Sequence, residues 1–205
     1  MARKILPPLL VLASLVLAGC GEHGKVEQGR TVAFDKNKAE VTIIVDSNID
    51  LKKPPNYATL PAHVYAMPSD PNERGQDPVP ALRMNFDVEK KIITMYNPQT
   101  KAFENLPFEV VADHKSVDVR RRHPLVWDAA AGKAIQFPKV DAANRTVEIY
   151  SRRQLRLTTI KLSEADFAKY KDKDWDAGDE VRIYYKEQGK SLRFMNITKT
   201  DITRR

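Results

Sequence analysis

Arg120, Arg121 and Arg122, in the run "RRRHP", and the pair Arg152 and Arg153 are the densest positive groups in the chain. A guanidinium presents a planar fork that grips phosphate or carboxylate oxygens in pairs, so the two runs form a candidate anion-binding patch if folding brings them together. Trp127 and Tyr150 lie close enough in sequence to serve as stacking partners. A charge run is also how a solvated face reads, and that alternative stays open. Asp172, Asp174 and Asp176 have the spacing of the first three ligands of a calcium loop, but Ala177 stands where the sharp turn needs glycine and Ile183 where the bidentate glutamate belongs. A solvated turn leading into the next strand explains them better. His23, His63, His114 and His123 share no metal-ligand spacing, so no metal site is expected. Neither a nucleophile elbow, a phosphate-binding glycine loop nor a dinucleotide fingerprint is present. No catalytic residue and no dissociable cofactor are therefore expected, although a hydrolase using two carboxylates brought together by folding is an alternative reading.

The single cysteine, Cys20, cannot form an intramolecular disulfide. Ahead of it come a basic start, Arg3 and Lys4, and an apolar run from Ile5 to Gly19 interrupted by Pro7, Pro8 and Ser14. This is the pattern of a signal peptide over residues 1–19. It is shorter than the roughly 20 apolar residues that cross about 30 Å of hydrocarbon, and no later segment is apolar enough to span. Leu17, Ala18, Gly19 and Cys20 resemble the bacterial lipobox, in which small residues fit a dedicated signal peptidase and the cysteine thiol carries diacylglycerol. The resemblance implies that Cys20 becomes the mature N-terminus, bearing diacylglycerol and an N-acyl chain. One myristoyl chain binds membranes only marginally, with an association constant of about 10⁴ M⁻¹, so three chains make a lasting anchor. The alternative is an ordinary secretory signal that leaves a free thiol. Gly21, rather than aspartate, follows Cys20, which by the same resemblance implies the outer membrane, facing the periplasm.

Lys and Arg number 34 against 27 Asp and Glu, a formal net charge of +7. Two of those cations, Arg3 and Lys4, precede Cys20. So mild an excess suits solubility and a weak attraction to lipid phosphates or cell-wall polymers. The expected partners are the membrane, through the anchor, and an envelope protein or anionic polymer; an envelope compartment excludes nucleic acid. Without a disulfide, stability must come from burial and backbone pairing.

Apolar residues recur at alternate positions in short runs bounded by Asp, Asn, Gly or Lys, so the chain reads as mainly β. "AIQFPKVD" from Ala134, "RTVEIYS" from Arg145, "QLRLTTIKL" from Gln154, "EVRIYYK" from Glu180 and "SLRFMNIT" from Ser191 each fit a strand, with Leu155 and Leu157, or Leu192 and Phe194, facing one way. Between the third and fourth of these lies "SEADFAKYKDKDW", a short helix in which Ser163 caps the first turn. The order β-β-β-α-β-β is that of a small oligonucleotide- or oligosaccharide-binding (OB) barrel, and an open twisted sheet with one helix would read the same way.

Earlier come "GRTVAFD", "EVTIIVD", "LRMNFD", "KIITMYN" and the longer "AFENLPFEVVAD", where Pro107 suggests a bulge or edge. Asp35, Asp87 and Asp141 each end a strand before a tight turn. This shared form suggests two related barrels, and the plainer reading is that Asp makes a good turn wherever a hairpin occurs. The expected organisation is a signal peptide 1–19, a lipidated tether 20–23, an N-terminal β domain 24–118 and a C-terminal OB-like barrel domain 119–205. Residues 52–80 hold seven of the thirteen prolines and little periodicity. They read as a long strap laid along the fold, with Tyr57, His63, Tyr65 and Met67 available to dock it.

With the lipobox, "GRTVAFD", "VTIIVD" and especially "WDAGDEVRIYYKEQGKSLRFMNITKTDI", the chain resembles a family of bacterial lipoproteins known only as a domain of unknown function. That resemblance implies a lipoprotein and supplies no activity or catalytic residue. The functional expectation is a binding or scaffolding protein held at the outer membrane. The alternatives are a binder of anionic envelope ligands through the arginine patch and an unrecognised hydrolase.

Overall fold

The structure, a computed structural model, describes residues 23–48 and 53–200. The signal-peptide residues and Cys20, with Leu17, Ala18 and Gly19, lie outside them. The strands are β1 (Lys25–Asp35), β2 (Glu40–Val45), β3 (His63–Ala66), β4 (Arg83–Asp87), β5 (Ile92–Asn97), β6 (Ala102–Pro107), β7 (Glu109–His114), β8 (Trp127–Asp128), β9 (Lys133–Ala134), β10 (Lys139–Asp141), β11 (Thr146–Ser151), β12 (Arg156–Lys161), β13 (Glu180–Tyr185) and β14 (Ser191–Asn196). The one α-helix among the described residues, the short α1 (Glu164–Phe167), carries the expected cap: Ser163 Oγ accepts a hydrogen bond from the Asp166 amide at 3.1 Å.

One turn form explains most of the hairpins. Asp35, Asp87, Asn97, Asp128 and Asp141 each accept hydrogen bonds from backbone amides two or three residues ahead. The fourth residue after each, Ala39, Lys91, Lys101, Gly132 or Arg145, is left-handed and returns the chain into the next strand. Ser151 and Leu155 repeat the arrangement between β11 and β12. The likeness seen around Asp35, Asp87 and Asp141 therefore belongs to turn chemistry and carries no argument for duplication.

The strands assemble into a five-stranded sheet A (β14-β13-β1-β2-β3), a three-stranded sheet B (β4-β5-β6), a four-stranded sheet C (β10-β11-β12-β7) and the pair β8-β9, with antiparallel ladders throughout. None closes into a barrel, which corrects the expected OB-like closure. The order β10-β11-β12-α1-β13-β14 is as read, but β13 pairs with β1, from Lys25↔Tyr185 to Arg30↔Glu180, and not with β10. Strands from both sides of residue 118 thus share sheets A and C. The ends of sheet A meet at one isolated parallel bridge, Ala66↔Lys190, without a ladder. The strap covers the outer edge of β14, where Gly75 donates to the Phe194 carbonyl at 2.9 Å.

Pro107 is where the chain changes sheets. The run read as one long strand is β6 in sheet B followed by β7 in sheet C, because proline has no N–H to continue a ladder. The strap docks as expected through Tyr57, Tyr65 and Met67, all buried, but it also contributes β3, which pairs with β2. Leu155 lies in a left-handed turn, and the register shift between Tyr184 and Tyr185 leaves Leu192 exposed; neither keeps the inward alternation read from sequence.

Among the described residues three apolar clusters result. The central one joins all three larger sheets, with Val32 and Ile44 from A, Met84, Ile93 and Leu106 from B, and Val147, Ile149 and Ile160 from C, around Trp175. A second fills the concave side of sheet A with Val41, Ile43, Val181, Ile183 and Phe194. In the third, residues 117–137 fold onto the outer face of sheet C through Val117, Val119 and Val126 against Leu157. Among the described residues, no helix is long and apolar enough to cross a membrane.

Candidate functional site

Asp118 builds the first arginine run. Its Oδ1 accepts from the Arg120 amide at 2.8 Å and starts a 3-10 turn over Val119–Arg121, after which Arg122 is left-handed (φ 53°). The second run, Arg152 and Arg153, occupies the exposed β11–β12 turn. Two contacts bring the runs to the same end of sheet C. The Val117 amide donates to the Leu155 carbonyl at 2.8 Å. The Tyr150 hydroxyl donates to the Val117 carbonyl at 3.0 Å and accepts from the Val119 amide at 3.2 Å.

All five arginines are exposed. Arg121 is 3.7 Å from Asp118 and so is partly neutralised, whereas among the described residues Arg120, Arg122, Arg152 and Arg153 have no carboxylate within ion-pair distance. Arg122 lies 5.2 Å from the centre of the Trp127 ring, an exposed cation-π contact of about 0.5–1 kcal/mol. Trp127 is thus near the patch as expected. Tyr150 is not a free platform, because its hydroxyl ties two backbone groups and its ring packs on Phe137 at 5.7 Å. Arg156 is excluded from the patch by a bidentate pair with Asp113, at 2.7 and 2.8 Å, and by Glu89 at 3.0 Å.

The three-aspartate spacing builds turns. Asp172–Trp175 is a 3-10 turn, Asp174 Oδ2 accepts from the Lys171 amide at 2.9 Å, and Asp176 Oδ1 accepts from the Ala177 amide. Among the described residues no three His, Cys, Asp or Glu side chains stand where they could hold a metal ion.

A second polar constellation has no counterpart in the sequence reading. Glu27 on β1 accepts 2.8 Å hydrogen bonds from the hydroxyls of Tyr65 on β3 and Tyr185 on β13, and its Oε2 lies 2.8 Å from His63 Nδ1. A carboxylate only accepts, so that ring nitrogen carries the proton. Gln188 Nε2, from the β13–β14 turn, donates to the Tyr65 oxygen at 2.7 Å. Burial pushes the Glu27 carboxyl up, but the hydrogen bonds from His63, Tyr65 and Tyr185 and the attraction of His63 outweigh it and hold Glu27 below the ordinary glutamate range. Burial, reinforced by the carboxylate, raises both tyrosines.

A carboxyl held ionised with every neighbour donating to it is a poor general acid and a weak base, so this arrangement clasps β1, β3, β13 and the Gln188 turn together. Its members come from separate chain stretches; the available signal was His63 and Tyr65 two apart in the strap, the spacing of one strand face. Because the folded-state pKa is lowered, the stabilisation is complete above the unfolded value of about 4.3 and is lost as pH falls through the folded one. Glu27→Gln is accordingly expected to be less stable than wild type near neutrality, with the gap narrowing as the medium is acidified below that value. Urea denaturation of both proteins across this range measures it, and a gap independent of pH would exclude the role.

The fold is thus that of a mainly β protein of several small antiparallel sheets, and among the described residues four of the five arginines at one end of sheet C have no carboxylate within ion-pair distance. The chain belongs to the family described as a domain of unknown function (DUF4881), which matches residues 22–205. No curated protein and no solved structure matches it. The family resemblance read from the C-terminal stretch holds at the level of a domain of unknown function.

Proposed function

We propose that the protein is a lipid-anchored component of the bacterial cell envelope, held by Cys20 at the periplasmic face of the outer membrane. It works by binding anionic groups through Arg120, Arg122, Arg152 and Arg153, without a catalytic step. The observation that carries the binding site is the placing of two separate arginine runs at one end of sheet C, where among the described residues no carboxylate pairs four of their five members. Folded proteins usually pair or spread such charges, since like charges repel, and an exposed unpaired cluster suits phosphate or carboxylate groups on a polymer. Localisation and anchor rest on the lipobox at Leu17 to Cys20.

Inorganic polyphosphate and polygalacturonate serve as phosphate and carboxylate probes for the full-chain protein. Binding is expected to weaken at least tenfold as salt rises from about 0.1 M to about 1 M, where the screening length falls from roughly 10 Å to roughly 3 Å. Arg152→Glu with Arg153→Glu is expected to weaken low-salt binding at least tenfold while leaving the melting temperature unchanged, because both side chains point to solvent. Unaltered binding by that double variant would remove the patch as the site.

A further inference from the structure

The outer face of sheet A, away from its concave apolar cluster, carries an open groove of about 700 Å³ lined by Val26, Tyr184, Leu192 and Met195 with Arg182, Arg193 and Glu73 at its rim. Val26 pairs with Tyr184 across β1 and β13, and Arg182 with Met195 across β13 and β14, which sets these side chains on one face. Val26 is 58% and Leu192 46% exposed, although both are apolar. Arg193 is paired with Glu73; Arg182 has no carboxylate partner among the described residues and donates to Gln28 Oε1 at 2.8 Å. The result is an apolar centre edged by a neutralised Arg193–Glu73 pair and by Arg182, whose charge no carboxylate among the described residues offsets.

The described chain begins on this same face. Gly24 lies directly over the Tyr184 ring, where a Cβ would stand 2.2 Å from the nearest ring carbon. From Gly24 to Cys20 is four residues, which span at most about 14 Å when fully extended. An acylated Cys20 therefore keeps Gly24, and with it the Tyr184 ring, within about 14 Å of the anchored residue.

We infer that this face of sheet A lies on the phospholipid surface, with Val26, Tyr184 and Leu192 at the boundary between headgroups and acyl chains and Arg182 among the phosphates. The inference rests on the lipid anchor proposed above and adds an orientation to it. A tether this short would otherwise leave an exposed apolar face in water within reach of an apolar phase. Tyrosine and arginine suit the interface, since each combines an apolar body with a polar tip, and an anionic surface attracts the unpaired guanidinium. The docked face fixes how the rest of the molecule stands above the membrane.

The test uses the full-chain protein, processed in bacteria and reconstituted in vesicles of phosphatidylethanolamine and phosphatidylglycerol. With Cys20 acylated, a nitroxide can be placed on Leu192→Cys or, for comparison, on Val111→Cys, an exposed position on β7 in sheet C. The spin label at 192 is expected to collide at least threefold more with dissolved oxygen, relative to a water-soluble nickel chelate, than the label at 111. Equal nickel accessibility at the two positions in protein that floats with the vesicles and carries lipid on Cys20 would overturn the docked face and leave the anchor standing. Protein that stays soluble with an unmodified Cys20 would overturn both.

Discussion

Trp175→Ala is expected to lower stability by about 3–5 kcal/mol, the range for a fully buried aromatic truncated in a packed core. At roughly 2–4 °C per kcal/mol for a chain of this size, the melting temperature falls by about 6–20 °C. Trp175 is completely buried in the central cluster, stacked with Phe167 at 5.9 Å and edge-on to Tyr170 at 5.4 Å. Its place makes the loss general. Its own carbonyl accepts from Arg83 Nε at 2.9 Å, and the carbonyls of Asp174 and Asp176 accept from the amides of Leu82 and Arg83. The segment thus ties the entry to β4 in sheet B to the chain running from α1 into β13. The indole Nε1 has no hydrogen-bond partner among the described residues, and a buried donor left unpaired costs about 1–3 kcal/mol. Trp175→Phe, which removes that donor and keeps most of the ring contact, should therefore lose far less than the alanine variant. Urea denaturation of the two variants measures the difference; equal losses would show that the indole N–H is satisfied, and a loss below about 1 kcal/mol for alanine would show that the three sheets do not depend on this side chain.

Asp179→Ala is the second large effect. This buried carboxylate accepts 2.8 Å hydrogen bonds from the Val79 amide in the strap and from Asn196 Nδ2 at the end of β14, with Lys199 Nζ 3.4 Å away. Its backbone is engaged as well, since the Asp179 amide donates to the Val79 carbonyl and its carbonyl accepts from Thr31. Alanine keeps those backbone bonds but leaves two donors without an acceptor, at about 1–3 kcal/mol each. The expected loss is about 2–6 kcal/mol, concentrated where the strap meets sheet A. Hydrogen exchange should show the Val79 amide losing protection, with β11 and β12 in sheet C little changed. Uniform loss across the chain would mean that Asp179 supports the whole fold rather than this junction. The neighbouring Gly178 is confined by the same contact: its φ is +70°, and a Cβ would stand 2.5 Å from the Thr31 carbonyl oxygen.

These two positions also mark how far local pattern reaches. The runs around Val147 and Ile149 or Val181 and Ile183 declare strands because burial of one face demands alternation, and that demand is met within five or six residues. The Asp and Asn turns are equally local, as each carboxylate or amide oxygen reaches only its own next few amides. The Ser163 cap is of the same kind. The arginine runs were visible as charge. That they share one end of sheet C was not, since it depends on Val117 laying its amide against the Leu155 carbonyl there.

Sequence by itself determined that this is a mainly β chain, where most strands and their hairpin turns begin and end, and which arginines form candidate anion contacts. Tertiary structure decided which strands are neighbours. β13 joins β1 instead of closing a barrel with β10, Pro107 sends one run into two sheets, and a strap segment becomes β3. It also gathered Glu27, His63, Tyr65, Tyr185 and Gln188 into one clasp. The physical reason is range: a turn or an alternating strand is stabilised by partners a few residues away, whereas the choice of pairing edge is made by burial shared among residues far apart in the chain, which no short run of sequence contains.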